Sequence, residues 1–285
     1  MEKLQVTRHP MEWVIAAFKP RVLALPEGRF IEPVVLAPRR IGLSDLRQSL
    51  KAGFQDFTAC RTDVVFLCLM YPLVGLLLWR LTFGTGLIRL AFPLISGFAL
   101  VGPVFAAGLY EMSRQREQGR AVGWATAFAA FRSPAIGSIV ALGTVLLGLF
   151  AAWITTAELI YHLTVGATIP HWMPVTSAVL LQHLLTGPGV AMILLGVGAG
   201  AVFAVIVLAT SVISFPLLLD RHVGVAVAVG QSLRAVRENP ITLLAWGAIV
   251  AAGLLLGSLP FLLGLAFTLP VLGHATWHLY RRLYP

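Results

Sequence analysis

Apolar runs long enough to cross a bilayer constrain this chain more than any other feature. A bilayer core needs about 20 mostly apolar residues in helical form, and the sequence supplies such runs at about 62–80, 86–110, 135–159 and 188–219. A fifth run, 241–280, would make about 60 Å of continuous helix, about twice the hydrocarbon thickness. It carries Gly257, Ser258 and Pro260 near its middle. It reads as two spans, about 241–257 and 261–280, joined by a very tight turn. The rival is one long kinked helix plus an interfacial segment, which would move the C-terminus to the other side. Composition supports lipid as the solvent, since 58% of the 285 residues are hydrophobic and only 12% charged. The expected fold is an all-α polytopic membrane protein with six transmembrane helices.

Charge placement sets the orientation. Of the twenty-one Lys and Arg residues, nineteen fall in 1–61, 111–133, 220–239 or at the C-terminus, and none lies between Ala135 and Asp220. Basic residues collect on the cytoplasmic side, so both termini are expected there. A net charge of +9 would suggest nucleic acid only if it formed a patch on a soluble domain, and no such partner is expected. Residues 1–40, with Pro10, Pro20, Pro26, Pro33 and Pro38, lack a cleavable signal pattern. They read as a partly disordered cytoplasmic arm ahead of a membrane domain over 41–285.

The segments before the odd-numbered spans resemble one another. Leu43, Leu46, Leu50, Phe54 and Phe57 form one helical stripe opposite Asp45, Gln48, Lys51, Gln55 and Asp56. Ala121, Trp124, Phe128 and Phe131 repeat the pattern before Arg132-Ser133-Pro134, and Val225, Val229, Leu233 and Val236 do so before Asn239-Pro240. Each unit reads as an interfacial amphipathic helix followed by a helical hairpin, and three units give six spans. Glu111 and Asp220 then end the second and fourth spans equivalently.

Two stretches carry a family resemblance. They are Phe92-Pro93-Leu94, Gly97-Phe98, Gly102-Pro103 and Ala107-Gly108-Leu109-Tyr110-Glu111 with Ser113-Arg114 and Glu117, and Phe215-Pro216-Leu217-Leu218-Leu219-Asp220-Arg221. With Ile41, Ser44-Asp45-Leu46, Leu50, Gly53, Asp56-Phe57 and Asn239-Pro240, they resemble the bacterial integral-membrane family known as domain-of-unknown-function family 2189, over about residues 38–280. The resemblance implies a multispanning location in the bacterial inner membrane and brings no activity, substrate or cofactor with it.

Few residues invite chemistry. Arg89, with Arg80, lies at the outer end of the second span, where it would snorkel to the interface or hold an anionic headgroup or solute. Glu158 ends the third span on the same side and either faces water or pairs with Arg80 or Arg89. The outer segment 161–187 holds His162, His171 and His183 with Met173, which are metal-compatible types. Their spacing fits no known site, and a short lid-like helix around Val179 to Leu185 is expected instead. His274 and His278 share a helix face, as haem or metal ligands do, yet they sit at a helix end beside Arg281 and Arg282. No metal or cofactor is expected at either place.

Cys60 and Cys68 would lie about 12 Å apart on one helix, too far for a disulfide. Gly196 with Gly200 and Gly253 with Gly257 have the spacing of close helix packing. No nucleophile elbow, HExxH helix or Walker lysine occurs.

The sequence therefore favours a non-enzymatic inner-membrane protein of structural, assembly or lipid-interacting type, whose partners are membrane lipids, above all anionic headgroups on the cytoplasmic side. A small-solute or ion transporter is the first alternative. A metal-binding membrane protein or enzyme using the outer histidines is the second. Sequence leaves any protein partner or homo-oligomer open.

Overall fold

The computed structural model describes residues 37–60, 80, 88–123, 126, 129–130, 133–170, 173, 175–221, 223–259 and 264–285. The run at 62–79, Cys68, His171 and most of the second amphipathic segment lie outside the described residues, as does 1–36.

Among the described residues the regular elements are helical: α1 (Leu43–Ala59), α2 (Ala91–Glu117), α3 (Ile136–Leu163), α4 (Ser177–Leu184), α5 (Gly187–Ser211), α6 (Ser214–Arg221), α7 (Val225–Glu238), α8 (Pro240–Ser258) and α9 (Leu265–Leu283). Four helical segments among them are long and apolar enough to cross a membrane: Ala91–Glu117, Ile136–Thr168, Gly187–Arg221 and Pro240–Ser258. They fall on the runs read as the second to fifth spans. The chain is an integral membrane protein with several apolar helices.

Local chemistry sets the helix ends. The Asp45 carboxylate accepts from the Gly42 N–H at 2.9 Å, and the Thr186 hydroxyl accepts from the Gly189 N–H at 3.3 Å. Gly119, with φ of 70°, takes the left-handed conformation that lets the chain leave α2.

The run 241–280 folds back on itself. A Cβ added at Gly253 would lie 3.0 Å from the Leu272 side chain, one at Gly257 2.5 Å from Thr268 Oγ1, and one at Gly264 2.8 Å from the Gly257 carbonyl oxygen. These pairings run antiparallel, so α8 and α9 pack side by side as a helical hairpin, and of the two α8 is apolar enough to cross a membrane. Glycine makes the close approach possible.

α9 differs from an ordinary lipid-facing helix. Leu272, His274, Ala275, Trp277, Leu279, Tyr280 and Leu283 are all buried, because α1, α2, α6 and α8 pack around it. The reason is polarity: a helix carrying His274, Thr276, His278, Tyr280 and two arginines needs hydrogen-bond partners that lipid cannot supply. α5 is the opposite case, with almost none of its most apolar stretch buried and Leu194, Val197 and Val202 exposed. Next to α9, short α6 is inserted into the core, with Phe215, Leu217, Leu218 and Leu219 buried.

α1 packs through a face that its apolar stripe does not mark. Its buried face is Leu46, Ser49, Gly53 and Asp56, whereas Leu43 and Phe54 of the apolar stripe stay exposed. Asp56, placed by its pattern on the polar side, is buried. A Cβ at Gly53 would come within 2.5 Å of the Ala275 backbone nitrogen, so the two backbones touch there. Close approach, which small residues permit, has decided the packing face over hydrophobicity. α7 behaves alike: Ala228, Gln231, Ser232 and Ala235 are buried along with Val225 of the expected stripe. The stretch before α1 is tied down as well. The Ile41 N–H donates to Asn239 Oδ1 at 2.8 Å, Thr242 Oγ1 donates to the Ile41 carbonyl at 3.0 Å, and the Arg39 N–H donates to the Leu283 carbonyl at 2.9 Å.

Candidate functional site

Two polar clusters stand at opposite ends of α2. The first is built around Arg89, in the 3₁₀ turn Ile88–Leu90 that leads into α2, and Glu158, in the last two turns of α3. Arg89 Nε donates to both Glu158 oxygens at 2.9 and 3.0 Å, and Nη2 donates to Oε1 at 2.6 Å. His162, one turn beyond Glu158, reaches Oε1 through Nε2 at 3.1 Å, and the guanidinium lies 5.7 Å from the centre of the Tyr161 ring. Of the partners the sequence offered Glu158, the structure selects Arg89. Arg80 is an exposed helical residue that joins no described contact of this cluster.

Below this pair lies a cavity of about 470 Å³ between α2, α3, α4 and α5. Its lining is apolar except for Arg89 and the Tyr161 hydroxyl, and includes Phe92, Trp153, Met192 and Ile193. The Trp153 Nε1–H is satisfied by the Pro93 carbonyl at 3.0 Å, which leaves its ring as an apolar wall. Gly200 lets α5 approach this wall, a Cβ there lying 3.3 Å from the indole, whereas a Cβ at Gly196 meets no described atom within 4 Å and would enter the cavity. The expected short helix is α4, whose Leu184 also lines the cavity. His183 is occupied as a helix-end donor, Nδ1 to the Val179 carbonyl at 2.7 Å. Among the described residues no three metal-ligating side chains converge.

The second cluster joins α1, α2 and α9, and sequence reasoning found only its histidines. His274 and His278 do share a face, and that face meets Asp56 and Ser113. Ser113 Oγ donates to Asp56 Oδ2 at 2.6 Å, His278 Nε2 donates to the same oxygen at 2.9 Å, and Arg116 binds Asp56 Oδ1. Ser113 has one proton and gives it to the carboxylate. His274 Nδ1, 2.7 Å from Ser113 Oγ, must therefore be the donor in that contact. The order is carboxylate, hydroxyl, imidazole, so this imidazole cannot take the serine proton, as a nucleophile's base would.

Around this centre, Trp277 Nε1 and Arg281 Nε donate to Glu117 at 3.0 and 2.9 Å, the Tyr280 hydroxyl donates to Asp220 at 2.6 Å, and Arg282 pairs with Asp45 at 3.2 Å. Glu111 and Asp220, expected to be equivalent, are used differently. Glu111 is held within its own helix by Arg114 and Gln115, and Asp220 by Tyr280 from α9.

Burial pushes the Asp56 carboxyl up, but the hydrogen bonds from His278 and Ser113 and the charges of the nearby imidazoles outweigh it, and its pKa lies below the ordinary value. A lowered folded-state value contributes stability that is complete above the unfolded pKa and is lost as pH falls through the folded one. Acidification below about pH 4 should thus destabilise the wild type more than Asp56→Asn. Melting temperatures of both proteins between neutral and strongly acidic pH, in lipid discs, check this. Parallel curves would contradict it.

Of the residues that carried the family resemblance, Ala107 to Ser113 and Phe215 to Asp220 lie in this second cluster and the core beside it, all buried except the half-buried Asp220, whereas Phe92 and Pro93 line the cavity at the other end of α2. No curated protein and no solved structure matches the chain significantly. The family match is narrower than the 38–280 of the sequence resemblance, leaving the α1 segment and Asn239-Pro240 outside it. Over residues 91–220, from the start of α2 to Asp220, the chain matches the family described as predicted integral membrane protein (DUF2189), the domain-of-unknown-function family 2189 that its sequence resembles.

Proposed function

We propose that this is a non-enzymatic, lipid-interacting protein of the bacterial inner membrane, with six spans in three units of amphipathic helix plus hairpin and both termini cytoplasmic. The observation that carries the lipid reading is the division of labour on α1. One face is fixed to α9 through Gly53 and Asp56, and the neighbouring face presents Leu43 and the half-exposed Phe54, whose ring edge meets Phe267 of α9, with exposed Arg47 and Lys51 beside them. Exposed apolar side chains flanked by cations suit the boundary of an anionic leaflet.

The threefold reading is supported by α7, where the buried face is rotated roughly a quarter turn from the apolar stripe at 100° per residue, as it is on α1. In both units the amphipathic helix lies against the bundle through small residues. The non-enzymatic reading is supported by the proton bookkeeping at Ser113, which is 1% exposed and already committed to Asp56.

Each cation near an anionic surface contributes about 1 kcal/mol. Adding phosphatidylglycerol to discs of neutral lipid should therefore stabilise the wild type by about 2 kcal/mol more than Arg47→Gln/Lys51→Gln. Unfolding measured in both disc compositions tests this. An equal gain for the double variant would remove the α1 surface from the proposal.

A further inference from the structure

The cavity beneath Arg89 is a distinct feature, at the other end of α2 from the basic face of α1, and does not depend on that face. Its lining includes residues that are also open to the surroundings: Phe92 is 66% exposed, Val197 58% and Ile193 44%. All three belong to segments apolar enough to span a membrane. The cavity thus opens sideways, toward lipid, and its size falls in the range of sites that take small molecules, roughly 300–1,000 Å³. An apolar recess beside a bilayer is naturally lined by hydrocarbon, at about 0.8 kcal/mol for each methylene removed from water.

The rim decides which hydrocarbon. Arg89 and Glu158 are both about a quarter exposed, with side-chain values of 24% and 26%. Arg89 lines the cavity, and Glu158, held against the guanidinium just outside the lining and contacted by His162 on its other side, sets an anion beside that cation. Arg89 Nη1 makes no hydrogen bond within the pair, and among the described residues Glu158 Oε2 accepts only from Arg89 Nε, at 3.0 Å. A singly anionic headgroup would meet the Glu158 carboxylate as well as the guanidinium. A headgroup carrying both signs would meet a partner for each: phosphodiester oxygens on the free guanidinium N–H groups, where Arg binds phosphate well, and an ammonium on the carboxylate.

We propose that this cavity is a binding site for a zwitterionic phospholipid, its phosphodiester on Arg89, its ammonium on Glu158 and an acyl chain against Trp153 and Met192. Gly196 offers a clean test, because a larger side chain there enters the cavity without meeting a described atom and replaces a poor helix former by a good one.

The full chain is reconstituted into discs of equal parts phosphatidylethanolamine and phosphatidylglycerol, released from the disc and weighed by native mass spectrometry. The wild type should keep one phosphatidylethanolamine per chain. Gly196→Leu should lose it at an unchanged melting temperature in lipid-free detergent. Glu158→Gln, which leaves the arginine unopposed, should shift the retained lipid toward phosphatidylglycerol by about tenfold, the size of one charge-assisted contact. Retention of phosphatidylglycerol by the wild type would overturn the zwitterion assignment. Retention of nothing, or undiminished phosphatidylethanolamine on Gly196→Leu, would overturn the site. None of these outcomes changes the stabilisation by anionic lipid that Arg47 and Lys51 are expected to supply.

Discussion

Asp56→Ala should cost about 3 kcal/mol of stability, the lower end of what removing one partner of a buried charged pair does. The carboxylate is 7% exposed and takes hydrogen bonds from Ser113, His278 and Arg116, so alanine would leave donors from α2 and α9 without their acceptor. Arg116 is 39% exposed and can turn to water, which keeps the loss from being larger. Ser113, 1% exposed, cannot do the same.

Asp56→Asn should recover part of the loss, since it retains one acceptor oxygen. Ser113→Ala, which removes one uncharged donor, should cost about 1 kcal/mol. Denaturation by SDS in mixed micelles measures all three. If Asp56→Ala unfolds at the same SDS fraction as the wild type, the α1–α2–α9 cluster does not hold this end of the bundle together.

The four apolar helices on the second to fifth runs were legible in the sequence because lipid imposes its demand segment by segment: enough apolar residues in a row, with charge kept to the ends. Nothing distant has to be known. For Glu158 the choice was narrowed to water, Arg80 or Arg89 for a related reason, as few charges lie at that end, and the Arg89 contact itself had to come from the structure. The second cluster was hidden by sequence distance. Ser113 and His274 are 161 residues apart, and Ile41 and Asn239 are 198 apart, so their pairing depends on how the helices assemble.

The packed face of α1 was not legible for a different reason. A hydrophobic stripe reports which side avoids water, and in a membrane protein lipid satisfies that as well as a core does. What selects the packed side is how closely two backbones can approach. On α1 the signal was therefore Gly53 and Ser49, rather than Leu43 and Phe54. The same logic recovers the hairpin, where Gly253 and Gly257 were read correctly as packing positions.

Gly53→Ala should accordingly be among the most damaging single-methyl changes in the protein. The added carbon would stand 2.5 Å from the Ala275 nitrogen and 2.7 Å from the Val271 oxygen. Both are backbone atoms of α9, so no side chain can rotate away and the helices must separate. Overpacking of this kind costs about 1–3 kcal/mol and occasionally more, and here it would also pull Asp56, one turn along α1, away from His278. Gly230→Ala in α7 is the matched control. That glycine is exposed, a Cβ there meets no described atom within 4 Å, and alanine should stabilise the helix by about 0.5–1 kcal/mol. The two substitutions add the same atom to the same residue type and should move the SDS midpoint in opposite directions. Equal shifts would mean that α1 is held by its apolar stripe after all, and that the contact with α9 is dispensable.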